Sequence, residues 1–286
     1  PEPIEAMCDE LATTRSGKTV HNIYIRTKQI LNHAVRDKLI PINPALAAIP
    51  PRYEPADTII LQPGQPAAAI HAAHDPKPRK RDTLHDDQDD HDMWALMFDL
   101  AFATGMRQAE RFAITPSELV TRDGIHGIEV RWQLQQLKPD ATIPGWLQAR
   151  HITGNFWLIP PKTRQGIRFI PLDTRTWLRL LELANKHQCA PDDLIFTRHG
   201  QPLTGNVERR RWQRALQDAG LPPVTMRAAR HFFSTHLAQT GAPEDARKAI
   251  MGHAKITTTA RYTHWTPETL AALADEAREA IGVGNE

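Results

Sequence analysis

Two arginines one helical turn apart, Arg227 and Arg230, stand in the stretch VTMRAARHFFSTHLAQTGAPEDARKAIMGHAKITTTARYTH, Val224 to His264. Residues three apart share a face of a helix, so both guanidinium groups can approach one anion while Ala229, Phe233 and Leu237 turn inward. Guanidinium forks match the oxygens of a phosphoryl group. Gly241 and Gly252 each stand just past an apolar-periodic segment, as C′ glycines do. PEDARKAIM between them therefore reads as a short helix with Pro243 in its first turn. His253 then falls on a turn rather than in a core stripe, and nine positions later stands Tyr262, one of three tyrosines in the chain. Arginines, a turn histidine and a tyrosine in this order are the equipment of a phosphate-handling site. Taken singly, each has a plainer reading: solvated arginines, a hydrogen-bonded turn histidine, a core aromatic.

Two segments upstream change that balance. ATGMRQAE (Ala103 to Glu110) resembles the first arginine box of the tyrosine recombinases of the phage-integrase family, and PPKTRQGIRFIPL (Pro160 to Leu172) resembles the family's lysine-bearing β-turn. RHFFSTHL, MGH and TTARYTH are similar to its second-arginine, histidine and nucleophile boxes, in the same order and spacing. The resemblance runs from Leu61 to Ile281, with a weaker echo from Lys18 to Pro44 that is similar to the end of a recombinase core-binding domain. The phrasing RWQLQ…WLIPPKTRQGIRFIPL and LIFTRHGQPL looks most like integrases of actinobacterial phages and related mobile elements. Many of those carry an N-terminal arm-binding domain, of which no such segment is seen here.

The resemblance implies a reaction and a role for each residue. Tyr262 attacks a scissile DNA phosphate to give a 3′-phosphotyrosine and a free 5′-hydroxyl. Arg107 and Arg230 hold the non-bridging oxygens, Lys162 protonates the leaving 5′-oxygen, and His253 hydrogen-bonds the phosphate or the developing charge. Glu110, one turn after Arg107, is placed to orient an arginine. Phosphodiester and phosphotyrosine are close in energy, and arginines supply the charge neutralisation that metal ions supply elsewhere. Neither ATP nor a metal or other cofactor is implied. One position departs from the family, which usually has histidine where this chain has Arg227. An arginine does not deprotonate, so either Arg227 is a third phosphate contact, or His253 or water takes the proton of the nucleophile. His231, about 100° round the helix from Arg230, reads as structural.

The elements that must position these groups follow from pattern and composition. With 286 residues the chain can bury a full core and form two domains. We expect a helical core-type DNA-binding domain over 1–48, a proline-rich linker over 49–66 and a catalytic domain over 67–286. The fold class is α+β, mainly helical with a small antiparallel sheet, in the two-domain arrangement of tyrosine recombinases. The net charge is +2 and the pI about 8.7, which permits nucleic-acid binding without demanding it. Two cysteines, Cys8 and Cys189, form neither a disulfide framework nor a zinc pattern. No apolar run approaches the ~18 residues of a membrane span and no signal peptide is visible, so the reading is a soluble, cytoplasmic, nucleoid-associated protein. The opening PEPIEAM suits a chain trimmed of its true start.

In chain order, an EAMCDELATT helix precedes one over Lys18 to Asp37, which carries Tyr24, Thr27, Leu31, Ala34 and Val35 at helical spacing and ends at Pro41 and Pro44. Arg26, Lys28, Arg36 and Lys38 remain for DNA backbone. A short helix over Ala67 to His74 leads into DPKPRKRDTLHDDQDDHD, read as a solvated surface insertion rather than a metal site. The apolar helix Met93 to Ala103 delivers Arg107 after a turn at Thr104 and Gly105. Alternation then marks IEVRWQL, FWLI and IRFIP as one antiparallel sheet, with KTRQG as a hairpin turn that lifts Lys162 to a loop tip. Leu134 to Gly154 reads as a surface excursion. A helix over Thr174 to His187 and an edge segment with turn at DLIFT and HGQP follow. VERRRWQRALQDAG offers Arg209, Arg210, Arg211 and Arg214 as a second DNA footprint. The last helix, capped by Thr266 and Pro267, has an apolar stripe of Leu270, Leu273, Ala274, Ala277 and Ile281. It docks either on its own core or, as often in the family, on a neighbouring protomer.

The resemblance also names partners: double-stranded DNA at core-type attachment sites, further copies of the chain that form a tetramer in the synapse, and an accessory directionality or DNA-bending protein. Integration and excision of a mobile element is the function expected. The alternatives are a Xer-like host recombinase resolving DNA dimers, and a DNA-binding architectural protein whose chemistry has decayed.

Overall fold

The computed structural model describes residues 1–54, 59–79, 86–252 and 265–282. The chain divides into two compact units, Pro1–Thr58 and Ile59–Glu286. In the first, α1 (Glu2–Ala12) packs on α2 (Gly17–Arg36). Ser16 starts α2 by accepting from the Thr19 amide at 3.3 Å. Val20 and Tyr24 face Cys8, Ala45 and Ala48 in a small core. The Tyr24 hydroxyl donates to the Ala45 carbonyl at 2.8 Å, so its polar end is satisfied inside that core. Arg26, Arg36 and Lys38 are exposed and Lys28 is half-buried. Part of the segment expected as linker folds back on α2, where His21 and Tyr53 bring their rings to 5.2 Å.

The second unit is built around α4 (Gln88–Thr104), which follows α3 (Gln65–His74). Every residue of α4 from Met93 to Thr104 is buried, as expected of a helix apolar all round. Asp87 caps it by accepting from the Asp90 amide at 2.9 Å. A one-turn helix, α5 (Gln108–Arg111), then leads to β1 (Leu119–Arg122), β2 (Ile125–Val130) and β3 (Gln133–Gln136). Next come β4 (Arg150–Thr153), β5 (Phe156–Ile159), β6 (Arg168–Pro171) and α6 (Thr174–Lys186). A two-residue ladder, β7 (Thr197–Arg198) with β8 (Gln201–Pro202), precedes α7 (Gly205–Asp218), α8 (Arg227–Gln239), α9 (Glu244–Met251) and α10 (Pro267–Glu279). Rings from three helices meet on α4: Phe98 lies 5.1 Å from Trp212 of α7, and Phe102 lies 5.5 Å from Phe232 of α8.

The strands correct the sequence reading. Among the described residues they form two three-stranded antiparallel sheets, ordered β1-β2-β6 and β3-β5-β4, beside the β7-β8 ladder. IEVRWQL is not one strand, because it breaks at Arg131 and Trp132 as the chain leaves one sheet for the other. Consequently β5 and β6 are not partners, and KTRQG is a crossover rather than a hairpin turn. The physical reason is register: Val130 pairs with Arg168 in the first sheet while Gln133 pairs with Ile159 in the second. The excursion after Leu134 contributes both β3 and β4, and its remaining loop exposes Trp146.

The DPKPRKR to HDMW tract is exposed at Asp75, Lys77, Pro78, Arg79, Asp87, Gln88 and Asp89, as expected of a solvated insertion, yet some of its side chains are pinned. Residues 80–85 lie outside the described residues, but the flanks are held to the core. Arg79 donates to Asp218 of α7 at 2.7 Å, and buried Asp86 accepts from Arg198 at 2.9 Å and from Nε of Arg211 at 2.6 Å. The side chains of Asp86, Arg211 and Asp218 are almost wholly buried, so their charges are paired rather than hydrated.

The last helix docks on its own chain. Leu270, Ala274 and Ala277 are buried with Phe233, Leu237, Ile250 and Met251. Arg278 donates from Nε to the Ala103 carbonyl at 3.1 Å and from Nη2 to the Pro171 carbonyl. The helix therefore ties the end of α4 to the end of β6. Beyond it, the Ala280 and Ile281 carbonyls accept from the Gly64 and Ala67 amides at 3.2 and 3.3 Å, joining the end of this unit to its beginning.

Candidate active site

Arg107 is delivered by a turn only glycine can make. Gly105 ends α4 at φ +60°, and a Cβ there would stand 2.8 Å from Phe233 and 3.0 Å from the Met251 sulfur. Both the left-handed backbone and the close approach of α8 and α9 exclude a side chain. Arg107 follows as the N-cap of α5. Glu110, fully buried, accepts from the Arg107 amide at 2.9 Å and from its guanidinium at 2.8 Å. The same carboxylate takes Arg168 Nη2 at 2.9 Å and Nη1 at 3.3 Å. Burial alone would push the Glu110 carboxyl up. The Arg168 charge and the hydrogen bonds from Arg168 and Arg107 outweigh it and hold the pKa at about 2.

The end of α9 arranges the arginines. Its last carbonyls have no partner within the helix, and three successive ones accept from three different arginines. Ile250 accepts from Arg168 Nε at 2.7 Å, Met251 from Arg230 Nη2 at 2.6 Å and Gly252 from Arg107 Nη2 at 3.3 Å. The negative end of the helix dipole favours the cations there. Gly252 adopts φ +65°, and a Cβ on it would meet Arg168 Nη1 at 2.9 Å. Arg230 also donates to the Gly105 carbonyl at 2.7 Å, so one guanidinium bridges both glycine turns. Burial lowers the Arg230 pKa to about 10, helped by Arg107 and Arg168 nearby, and the group stays charged at neutral pH.

Arg227 opens α8 one turn before Arg230 and is exposed. With Arg107, Arg230, Arg209 and Gln213 it lines a cleft of about 530 Å³. Arg111 and buried Glu208 line it too, so five arginines and one carboxylate face this cleft, an excess of positive charge that suits a polyanion. Lys162 is exposed on the loop between β5 and β6. That loop is tied to the cluster through Gly166, whose carbonyl accepts from Arg168 Nη1 at 3.0 Å. His231 lies exposed on α8. His253 and Tyr262 lie outside the described residues.

Two further assignments change. Arg168 was not picked out from the sequence, yet it is the most heavily bonded arginine of the cluster. Arg211 was expected on a DNA-facing surface. It is 6% exposed, paired with Asp86 and stacked 5.9 Å from the Trp94 ring. A residue so enclosed cannot reach a phosphate. Arg214 is half-buried, with Nη2 at 3.5 Å from the Lys77 carbonyl and Nε at 3.7 Å from Asp218. Arg209 and Arg210 remain exposed. Among the described residues no helix is long and apolar enough to cross a membrane, and no three metal-ligating side chains converge.

A sequence model of the phage integrase family matches residues 82–269, well over half of the chain. The chain belongs to this family. Among curated relatives, tyrosine recombinase XerC 2 of Ralstonia nicotianae is 32% identical over 119 residues, covering 40% of this chain and 34% of that protein. XerC of Halalkalibacterium halodurans is 37% identical over 81 residues, covering 28% and 27%. The chain thus matches about a third or less of the length of these curated relatives. Its fold is that of solved integrases. The Tn1549 transposon integrase, in complex with transposon right end DNA, superposes with a TM-score of 0.65 at 22% identity, covering 95% of this chain and 83% of the other. A lambda integrase dimer bound to a COC′ core site gives 0.58 at 16% identity, covering 93% and 82%.

Proposed function

We propose that the chain is a site-specific recombinase that cuts and rejoins double-stranded DNA to integrate and excise a mobile element. The observation that carries this reading is the convergence of Arg107, Arg227 and Arg230 on one cleft, with Arg107 held from behind by buried Glu110, which Arg168 also binds. Such an array holds the two non-bridging oxygens of a phosphodiester and gains strength as charge builds in a pentacoordinate transition state. The hydroxyl oxygen of Tyr262 forms the new bond to phosphorus while the bond to the 5′-oxygen breaks. Lys162 gives a proton to that leaving oxygen. The tyrosine proton passes to His253 or to water, because Arg227 is a permanent cation and cannot take it. Arg227 is then a third phosphate contact. Glu110 orients Arg107 and Arg168 and touches no substrate.

The first unit and the exposed face of α7 would hold flanking backbone, through Arg26, Lys28, Arg36, Lys38, Arg209 and Arg210. Synapsis by four protomers and control by an accessory DNA-bending protein belong to the same reading, as does a place in the cytoplasm on the nucleoid. Dimer resolution is the second reading, favoured by the XerC and XerD names of the curated relatives. Trapping on a nicked suicide duplex tests both. The chain should leave a 3′-phosphotyrosyl adduct, and Tyr262→Phe should bind the duplex and leave none. Sequencing the attached DNA separates element ends from a chromosomal dimer-resolution site. Adducts that persist on Tyr24 or Tyr53 in the variant would remove Tyr262 from its role.

A further inference from the structure

In the wall of the same cleft, a second buried carboxylate holds the turn that carries Arg107. Glu208 of α7 is fully buried, and it accepts from Nη2 of Arg111 and from Nε2 of Gln108. The other amino group of Arg111, Nη1, donates to the Met106 carbonyl at 3.0 Å. The residues at 106, 108 and 111 are therefore all tied, directly or through Arg111, to one side chain on α7. Between them stands Arg107. A helix of four residues has too few internal hydrogen bonds to hold its own orientation. Glu110 fixes it toward β6, and Glu208 fixes it toward α7. The approach is close: a Cβ on Gly205, at the start of α7, would come to 2.9 Å from the Gln108 side-chain oxygen.

The pair is not arranged for stability alone. A buried ion pair contributes little net stability compared with apolar groups of the same volume. Arg111 moreover leaves its Nε buried with no hydrogen-bond partner. What the pair does achieve is a rigid link between α5 and the helix whose next residue, Arg209, is exposed and lines the cleft beside Arg107. We infer that Glu208 is a positioning residue that couples engagement of DNA backbone by α7 to the orientation of Arg107. DNA held by Arg209 fixes α7, α7 through Glu208 fixes α5, and α5 aims the guanidinium at the scissile phosphate. This rests on the recombinase reading above.

The test is single-turnover cleavage at saturating duplex, with DNA affinity measured separately, for wild type and for Arg111→Met/Glu208→Met, which removes both charges together. The saturated rate should fall about 10- to 100-fold, the scale of a misplaced catalytic group, while the dissociation constant stays within about twofold. Arg209→Ala should lower the saturated rate in the wild-type background and leave it unchanged in the double variant, because the link that carries its effect is gone. A purely structural role would reduce the fraction of active molecules and leave the rate per active site unaltered. That outcome, or additive effects of Arg209→Ala in both backgrounds, overturns the coupling. If the double variant does not fold, Gln108→Met removes one arm only and carries the same rate-against-affinity comparison. Wild-type cleavage of the same duplex is the reference. Its absence removes the recombinase reading itself, whereas its presence with unchanged variants removes only the coupling.

Discussion

Two clusters of arginine and carboxylate lie in the second unit. Around Glu110 stand Arg107, Arg168 and Arg230, three cations and one anion. Around Asp86 and Asp90 stand Arg198 and Arg211, two cations and two anions. The balanced cluster is closed by its own pairing and staples the tract after Arg79 to α7. The unbalanced one has a single counter-charge, Glu110, and is otherwise held in place by carbonyls. Carbonyls fix the direction of a guanidinium without neutralising it. Arginine count does not separate a site from a scaffold here; the charge left over does.

Substitutions can break that contrast. The largest effect is expected at Glu110. Glu110→Ala leaves three guanidinium groups crowded without their anion, which should cost ~3–5 kcal/mol in urea unfolding and abolish cleavage. The pH dependence has a definite sign. The folded-state pKa is depressed from 4.5 to about 2. The contribution of Glu110 is therefore complete above about pH 4.5 and is lost as pH falls towards 2, roughly 3 kcal/mol in all. The stability gap between wild type and Glu110→Gln should close over that window, and a constant gap would remove the ion pairs from the account.

Asp86→Ala should destabilise on a similar scale, ~3–5 kcal/mol, yet leave the cleavage rate per folded molecule unchanged. A slowed rate in the folded fraction would merge the two clusters. Arg227→Ala comes next, at roughly 10²-fold in single-turnover cleavage with little change in unfolding midpoint, as for loss of a preorganised charge-stabilising donor. Arg227→Lys should keep part of the rate. Arg227→His should help only below its pKa, near ~6.5 when unperturbed, so that its activity falls as pH rises. A wild-type rate equal to that of the alanine variant would leave Arg227 without a catalytic role. The smallest effect separates neighbours on α7. Arg209→Ala should reduce the slope of log affinity against log salt by about 0.9, one phosphate contact, and Arg211→Met should not change it.

Most of the site was legible because its parts lie in short local motifs. Arg107 with Glu110, and Arg227 with Arg230, declare themselves by one-turn spacing, and Gly105 and Gly252 by their places at helix ends. Arg168 did not, because IRFIP reads as a strand with one open face, whereas all four residues of β6 are buried. Only the packing of α9 on that strand creates a place for a buried cation. KTRQG misled for a related reason: two apolar runs around a turn look like a hairpin whether or not they share a sheet, and sheet membership is set by distant partners. Arg211 sits three residues after Glu208 and next to Trp212, on the apolar side of its helix. A charge on that side needs a buried partner, and its partner, Asp86, is distant in sequence, so a run of four nearby arginines hid it.

The bonds that Arg278 makes to Ala103 and Pro171, and the strap from Ala280 and Ile281 back to Gly64 and Ala67, have a consequence for synthesis on the ribosome. The helix that braces α4, which leads into Arg107, and β6, which carries Arg168, is translated after both, and it also meets the first residues of its unit. A nascent chain halted before α10 would display its basic cleft without the brace. The order of translation thus builds in a delay between the appearance of a DNA-attracting surface and the completion of the framework that supports it.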